Sequence, residues 1–380
     1  MKKFIIPVIF LIFLFLLSFI TIHKELDNIE INYEEIVKLY KKPIEDWPSP
    51  FIDQGVEWEE FKSIPIDSNY FQSQELPKVI LGKMLFFDPK LSKSNQISCS
   101  SCHDPEIGWA DGRRVALGHN HLLGARNSLS LLNVAERKLL FWDGRVSSLE
   151  EQALAPIIAH NEMAHTSDSL VYQLNKISNY KPLFKNAYGS EKITFERITT
   201  ALASFQKTIK SQPSRFDKFL ERDYEALTDQ EIYGMHIFRT KARCMNCHYG
   251  QYLTDESFHN IGLTYYKRKY QDLGRYNTTL IKEDVGKFRT PSLRDLLITR
   301  PWMHNGLFND LLGVVNMYNS GMHMLDPSLE QKRQDSLYPV TDSLMKPLNL
   351  SKEERLAVVA FLKSLSGTKF KMRRPEYPRK

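Results

Sequence analysis

All four cysteines of the chain fall into two copies of one pattern, Cys99-Ser100-Ser101-Cys102-His103 and Cys244-Met245-Asn246-Cys247-His248. Cys-x-x-Cys-His is the attachment signature of a c-type haem: two thiols form thioethers to the vinyl groups of one porphyrin, and the adjoining imidazole ligates its iron. The spacing follows from geometry, since one helical turn brings both sulfurs to one porphyrin edge while the histidine ring swings beneath the metal. Three other uses of paired cysteines compete: a redox-active dithiol, a zinc site of two Cys-x-x-Cys knuckles, and plain disulfides. Each leaves both histidines unexplained, and a dithiol also calls for a βαβ setting that the chain lacks. Two covalently attached haem c groups are therefore expected, with His103 and His248 as proximal iron ligands.

Helices must deliver these turns. Leu76, Ile80, Met84 and Phe87 recur at helical spacing and predict a helix that Asp88-Pro89 stops shortly before the first motif. Thr228 and Glu231 form a capping box for a helix through Met235 and Phe238 that leads to Cys244. Between the motifs, Phe195, Ile198, Leu202, Phe205 and Ile209 predict an amphipathic helix. Ser351 with Glu354 caps a last one carrying Leu356, Val359 and Leu362 before Gly367. Alternating β-type runs are scarce. The expected fold is mostly α, two cytochrome c-like haem domains with long cofactor-wrapping loops at 108–132 and 253–300. The expected boundaries are a leader over residues 1–23, a proline-punctuated linker or N-terminal extension over 24–69, haem domains over 70–225 and 226–370, and a tail over 371–380.

Of 380 residues, 42% are hydrophobic, which suits two ordinary cores. Met1-Lys2-Lys3 followed by an apolar run from Phe4 to Ile22 addresses the chain to export. The run reads as a cleaved signal peptide or, because no small-x-small site follows Leu17 and it is long enough to span a bilayer, as a retained anchor. The expected location is the periplasm, either soluble or tethered to the inner membrane. The formal charge of +6 is spread along the chain, with no basic block or aromatic-basic interleaving of the kind that grips nucleic acid, so no nucleic-acid partner is expected.

The stretch from Leu81-Gly82-Lys83-Met84-Leu85-Phe86-Phe87-Asp88 through Gly108-Trp109-Ala110-Asp111-Gly112, Arg126-Asn127-Ser128, Phe141-Trp142-Asp143-Gly144-Arg145 and Glu162-Met163 resembles the bacterial di-haem cytochrome c peroxidase and MauG superfamily. The likeness resumes at Phe288-Arg289-Thr290-Pro291-Ser292-Leu293-Arg294 and Met303-His304-Asn305-Gly306, and covers nearly everything from about Leu76 to Leu365. It implies reduction of hydrogen peroxide to water with electrons from a small cytochrome c or cupredoxin-like protein. By the same resemblance the haem on His103 is the peroxidatic one, and the haem on His248 takes in electrons and passes them on. His119 matches a loop histidine that caps the peroxidatic iron when oxidised and leaves when the second haem is reduced, with His121 close enough to compete.

Glu162 matches the family's catalytic acid-base and Gln152 its neighbour. The chemistry asks for such a carboxylate, because peroxide must lose a proton to bind iron and regain it on the far oxygen. Trp142 matches the tryptophan lying between the haems. Asn127, Thr299 and Pro301 match positions that hold a calcium ion between the domains. Homodimers are common among these peroxidases, and a homodimer is an expectation on that ground alone.

One position departs from the peroxidases. Counting the family's distance from His304 to the second haem's distal methionine lands on Tyr318, as in MauG. Met317, Met322 and Met324 lie close by, and a shifted register would restore a thioether. On a helix, Leu311, Val314 and Tyr318 share a face while Met317 points about 100° away, which favours Tyr318. A phenolate stabilises ferric iron and lowers the potential; a thioether raises it. Tyr318 thus suits a MauG-like oxidase that withdraws electrons from a partner protein, while His119 is a peroxidase feature. A non-catalytic electron carrier is the third reading. Gln152 and Glu162 argue against it, because a carrier has no use for a proton shuttle.

Overall fold

The apolar periodicities resolve into helices that pack as two similar units. The computed structural model describes residues 33–66, 70–369 and 372–378. The helices that build the site are α1 (Glu34–Tyr40), α2 (Pro77–Phe87), α3 (Leu149–Ile158), α4 (Phe195–Gln206), α5 (Asp229–Arg239), α6 (Leu311–Asn319) and α7 (Lys352–Ser364). Strands β1 (Phe258–His259) and β2 (Phe288–Arg289) form a short antiparallel ladder that ties together the two arms of the 253–300 loop. The fold is mostly helical, as the scarcity of alternating runs implied.

In the first unit α2 packs on α4, and in the second α5 packs on α7. Both contacts are made at a glycine. A Cβ on Gly82 would stand 1.9 Å from the Ala201 carbonyl oxygen, and one on Gly234 would stand 1.8 Å from that of Ala357. Only a residue without a side chain lets the two backbones come so close. Phe86, Phe87, Trp109, Leu202 and Phe205 fill the first core. Phe216, Met235, Phe238, Val358 and Phe361 fill the second. The leading helix then ends eleven residues before the Cys-x-x-Cys-His turn in the first unit and four before it in the second.

The expected capping boxes close: Thr228 and Glu231 at α5, and Ser351 and Glu354 at α7, exchange reciprocal side-chain and backbone hydrogen bonds. The expected face of α2 is only partly right: Phe87 is fully buried as expected, and Ile80 and Met84 are half-buried. Leu76 precedes the helix and is 55% exposed, while Val79, Leu81, Leu85 and Phe86 are buried. The close approach at Gly82 rotates the helix so that this side meets α4. The 108–132 and 253–300 loops are pinned at intervals, by bridges Asp104↔Ala110 and Leu117↔Leu123 and by the turn Leu296–Ile298.

The proline-punctuated stretch read as a linker is part of the second core. Val37, Tyr40, Trp47 and Phe61 bury their side chains there, which no free tether does. Its backbone is stitched along the second haem-attachment turn. Asp53 N–H donates to Asn246 Oδ1 at 2.7 Å, and Asn246 Nδ2 returns a bond to the Phe51 carbonyl at 3.2 Å. Further on, Gln251 Nε2 donates to the Ser63 carbonyl at 2.8 Å. The fully buried Arg294 guanidinium bonds Asp217 at 2.8 Å and the Lys62 carbonyl at 2.9 Å. At the other end of the chain, Met372 and Tyr377 pack on the first core, and Arg374 reaches Asp104, beside His103, at 2.8 Å. Each end of the described chain therefore braces the haem-attachment turn of the opposite unit. The apolar leader lies outside the described residues, among which no helix is long and apolar enough to cross a membrane.

Candidate active site

Each cysteine pair sits on a single 3-10 turn, Cys99–Ser101 and Cys244–Asn246. The turn is closed by the histidine that follows: His103 N–H donates to the Cys99 carbonyl at 3.0 Å, and His248 N–H to the Cys244 carbonyl at 2.9 Å. The rings are oriented in the same way in both units. His103 Nδ1 donates to the Trp109 carbonyl at 3.0 Å, and His248 Nδ1 to the Leu253 carbonyl at 2.9 Å. Since a carbonyl can only accept, the proton sits on Nδ1 and the Nε2 lone pair is left for a metal. Trp109 and Leu253 are fully buried with positive φ, 57° and 50°. That conformation costs an ordinary residue about 1–2 kcal/mol, and here burial of two large apolar side chains offsets it.

Burial holds both imidazoles below their ordinary pKa, hence neutral. It also pushes the Cys99, Cys102 and Cys244 thiols up to about 12. Neutral thiols of this kind disfavour a zinc thiolate cluster. Both turns open on one cavity of about 1110 Å³, lined by Cys99, Cys102, His103, Cys244, Cys247 and His248. One drug-sized ligand needs roughly 300–1,000 Å³. The donor set, the free Nε2 atoms and the shared space fit two haems.

On the His103 side the cavity wall carries Gln152, from α3, and Glu162, from the turn that follows α3. That turn is held by Glu162 N–H to the Ala159 carbonyl at 3.0 Å and Met163 N–H to the Pro156 carbonyl at 3.1 Å. Burial pushes the Glu162 carboxyl up, with Arg145 acting in the opposite direction, and its charge is felt at Cys102. His119 N–H donates to the Glu162 carbonyl at 2.7 Å, so the histidine loop is tied to the acid's own backbone. Its ring, however, lies beside His160 at 6.3 Å and does not line the cavity. The Nδ1 of that ring is buried without a hydrogen-bond partner among the described residues. His121 is exposed.

Trp142 spans the junction of the two units. Its Nε1 donates to the Asn127 carbonyl at 2.9 Å, its own carbonyl accepts from Arg289 N–H at 2.9 Å, and its ring meets His304 edge-on at 6.3 Å. His304 stacks on Phe288 with centroids 3.5 Å apart and planes 7° apart. Arg126 lies over Phe288 and clamps Asp143 of the first unit and Asp272 of the second at 2.7 and 2.6 Å. Burial drives His304 down to about 3, so this stack stays neutral. Asn127, Thr299 and Pro301 line the same cavity. Asn127 Nδ2 donates to the Arg113 carbonyl at 2.9 Å, which turns Oδ1 the other way.

On the His248 side, α6 is capped by Asp310, whose carboxylate accepts from Gly313 N–H at 2.7 Å. The helix presents Val314, Val315 and Tyr318 to the cavity. Burial, with Cys247 and Cys244 nearby, pushes the Tyr318 hydroxyl up. Met317, Met322 and Met324 do not line the cavity, and Met324 is 49% exposed.

Sequence reasoning missed several lining groups. Met345 faces the cavity from a loop after α6 that no motif marked. His304 served only as a counting mark, and its stacking depends on β2, which is invisible in the local pattern. His259, on β1, donates to Asp255 at 2.8 Å and Asp342 at 2.6 Å. Burial opposes its charge, but the two carboxylates win and lift it to about 12, placing a cation beside Cys247. Also unmarked was the run Tyr265-Tyr266-Lys267-Arg268-Lys269-Tyr270, in which tyrosines flank three basic residues and Tyr270 lines the cavity.

Two haem-attachment turns on one cavity, with a half-buried carboxylate at one end, define a class: the di-haem peroxidase-type cytochromes c. A profile of the di-haem cytochrome c peroxidase family matches residues 77–225. The chain is 39% identical over 310 residues to the methylamine utilization protein MauG of Methylophilus methylotrophus, covering 80% of this chain and 86% of that one. It is 34% identical over 299 residues to the cytochrome c551 peroxidase of Nitrosomonas europaea, covering 78% and 82%. The crystal structure of a MauG-like protein associated with microbial copper homeostasis superposes with a TM-score of 0.68 at 29% identity, covering 84% of this chain and 93% of that one. The chain belongs to the di-haem cytochrome c peroxidase and MauG family, whose members carry two haems.

Proposed function

We propose that the chain reduces hydrogen peroxide to water at the His103 end of the cavity, using two electrons per peroxide that a small redox protein delivers to the His248 end. The observation that carries this reading is the half-buried Glu162 carboxyl, whose charge is felt at Cys102 and which lines the same cavity as Gln152. Haem iron supplies the site for peroxide binding and the electrons for O–O cleavage. Glu162 takes the proton from the arriving peroxide and returns it to the leaving oxygen, so one group serves both halves of the transfer. Gln152 donates and accepts hydrogen bonds beside it without competing for the proton. Trp142, bonded to both units through Asn127 and Arg289, offers a π system between the two ends. The buried Nδ1 of His119 and the tie from its backbone to Glu162 support a loop that can present this histidine to the peroxidatic iron.

The test is stopped-flow absorbance of the haem-loaded, half-reduced protein mixed with peroxide and a reduced small cytochrome c. The expected result is rapid oxidation of two donors per peroxide. Slow donor oxidation with persistent oxidation of the protein itself favours the second reading, a MauG-like oxidase acting on a partner protein. That reading is supported by Tyr318, which lines the cavity beside Cys244 and Cys247 where the nearby methionines do not.

Asn127, Thr299 and Pro301 would hold the calcium ion that the family resemblance implies, through oxygen ligands of the kind a hard cation takes. Metal analysis of the purified protein should find it, and a calcium-free, fully active protein would remove it. Export to the periplasm rests on the leader. The mass of the mature chain tells cleavage after the leader from a retained anchor.

A further inference from the structure

The run Tyr265-Tyr266-Lys267-Arg268-Lys269-Tyr270 forms a loop of the second unit that is exposed from Lys267 to Tyr270 and meets Arg114 of the first. Its backbone takes positive φ at Tyr265, Lys267 and Tyr270. Arg268 N–H to the Tyr265 carbonyl at 2.9 Å and Lys267 N–H to Gln271 Oε1 at 2.5 Å hold that shape. Asp335 anchors the base, accepting from the Tyr266 hydroxyl at 2.8 Å and pairing with Lys267 at 2.7 Å. The remaining cations have no such partner. Among the described residues, no ion pair engages Arg113, Arg114, Arg268 or Lys269.

Three of these cations flank aromatic rings. Lys269 lies 5.2 Å from the Tyr270 ring centroid, Arg114 of the first unit lies 5.3 Å from the same ring, and Arg268 lies 5.3 Å from that of Tyr265. The two tyrosines meet edge to face at 6.1 Å. Tyr270 is 40% exposed and also lines the haem cavity. Tyrosine and arginine are the residues that interfaces concentrate at their centres, and a patch of uncompensated cations draws a carboxylate-bearing surface to it.

We propose that this loop, with Arg113 and Arg114, is the docking surface for a small electron-carrying protein with an acidic face, centred on Tyr270. The inference rests on the reading that the chain draws electrons from such a protein, and it adds which surface and which charge. A compact patch straddling the two units, with its aromatic rings already flanked by cations, fits a globular acidic partner. It lacks the extended track of open aromatic faces that a nucleic-acid strand follows.

The test uses one donor fold in two charge states: a basic mitochondrial-type cytochrome c, and the same protein succinylated on its lysines so that its surface turns acidic. At low ionic strength the succinylated donor is expected to bind and be oxidised with the higher kcat/KM, and added salt should erase the advantage. The double variant Arg268→Glu, Lys269→Glu should lower its kcat/KM by about tenfold or more, with peroxide turnover on the small neutral donor hydroquinone unchanged. Equal use of both donors, preference for the basic one, or an unaffected double variant overturns the proposal. Tighter binding of a single-stranded oligonucleotide than of the succinylated protein, lost in the same variant, also overturns it. Binding measured without peroxide separates the two readings. If the acidic cytochrome binds the parent and not the variant but no donor is oxidised, docking stands and the peroxidase reading falls.

Discussion

Replacing Glu162 with glutamine lowers peroxide turnover by about 10²–10⁴-fold, the usual worth of a positioned acid-base group, with both haem spectra intact. Glutamine keeps the shape and can still donate a hydrogen bond, but it cannot take a proton. The same change removes a limb of the pH profile. Burial raises the carboxyl above its ordinary value, and Arg145 opposes that rise without cancelling it. Glu162 must be ionised to accept the peroxide proton, so kcat/KM falls as pH drops through this raised value, above the range of a solvated glutamate. Steady-state kinetics of both proteins across pH checks it. Equal turnover, or an acid limb that persists in E162Q, would assign the proton transfer to another group.

Replacing Tyr318 with phenylalanine should change the ferric spectrum of the second haem alone and raise its midpoint potential by roughly 0.1 V or more, within the ~0.8 V range that axial ligands command. The direction follows from charge. A phenolate stabilises ferric over ferrous iron, and phenylalanine carries neither charge nor lone pair. Burial beside Cys244 and Cys247 pushes the hydroxyl up, so the phenol stays neutral by itself, and only the positive charge of a bound iron compensates its ionisation. Spectroelectrochemistry of both proteins reads the effect. An unchanged spectrum and potential would remove Tyr318 as a ligand and turn attention to Met345, which lines the same cavity. The outcome also bears on function, since a low-potential second haem is a poor acceptor from an ordinary cytochrome c donor and suits withdrawal of electrons from a protein substrate.

The haem-attachment turns were legible because covalent chemistry constrains five consecutive residues, and the structure closes each pattern with hydrogen bonds inside that span. The caps of α5 and α7 were legible for the same reason, since Thr228 and Glu231, or Ser351 and Glu354, answer each other three residues apart. Glu162, Gln152 and Trp142 were reachable through family resemblance only. No local rule separates Glu162 from a solvated glutamate; its character comes from burial against α3 and from the bond that His119 makes to its backbone. His304 and His259 gained their roles from a two-residue ladder too short to leave an alternating signature.

Family resemblance pointed to Tyr318; from the sequence by itself came the two thiol pairs and their histidines, the helices α2, α4, α5 and α7, and the mostly helical class. All of these depend on covalent neighbours or on a single turn of helix. Only the tertiary structure decided that α2 turns Val79 and Phe86 inward in place of Leu76, and that residues 33–66 clothe the second core rather than tether the first. It also decided that Tyr318 and not its neighbouring methionines faces the cavity. Those choices hang on contacts between distant parts of the chain, such as Asp53 with Asn246, 193 positions apart. The burial of apolar surface that drives them is non-directional, so no short pattern encodes which partner a side chain will meet.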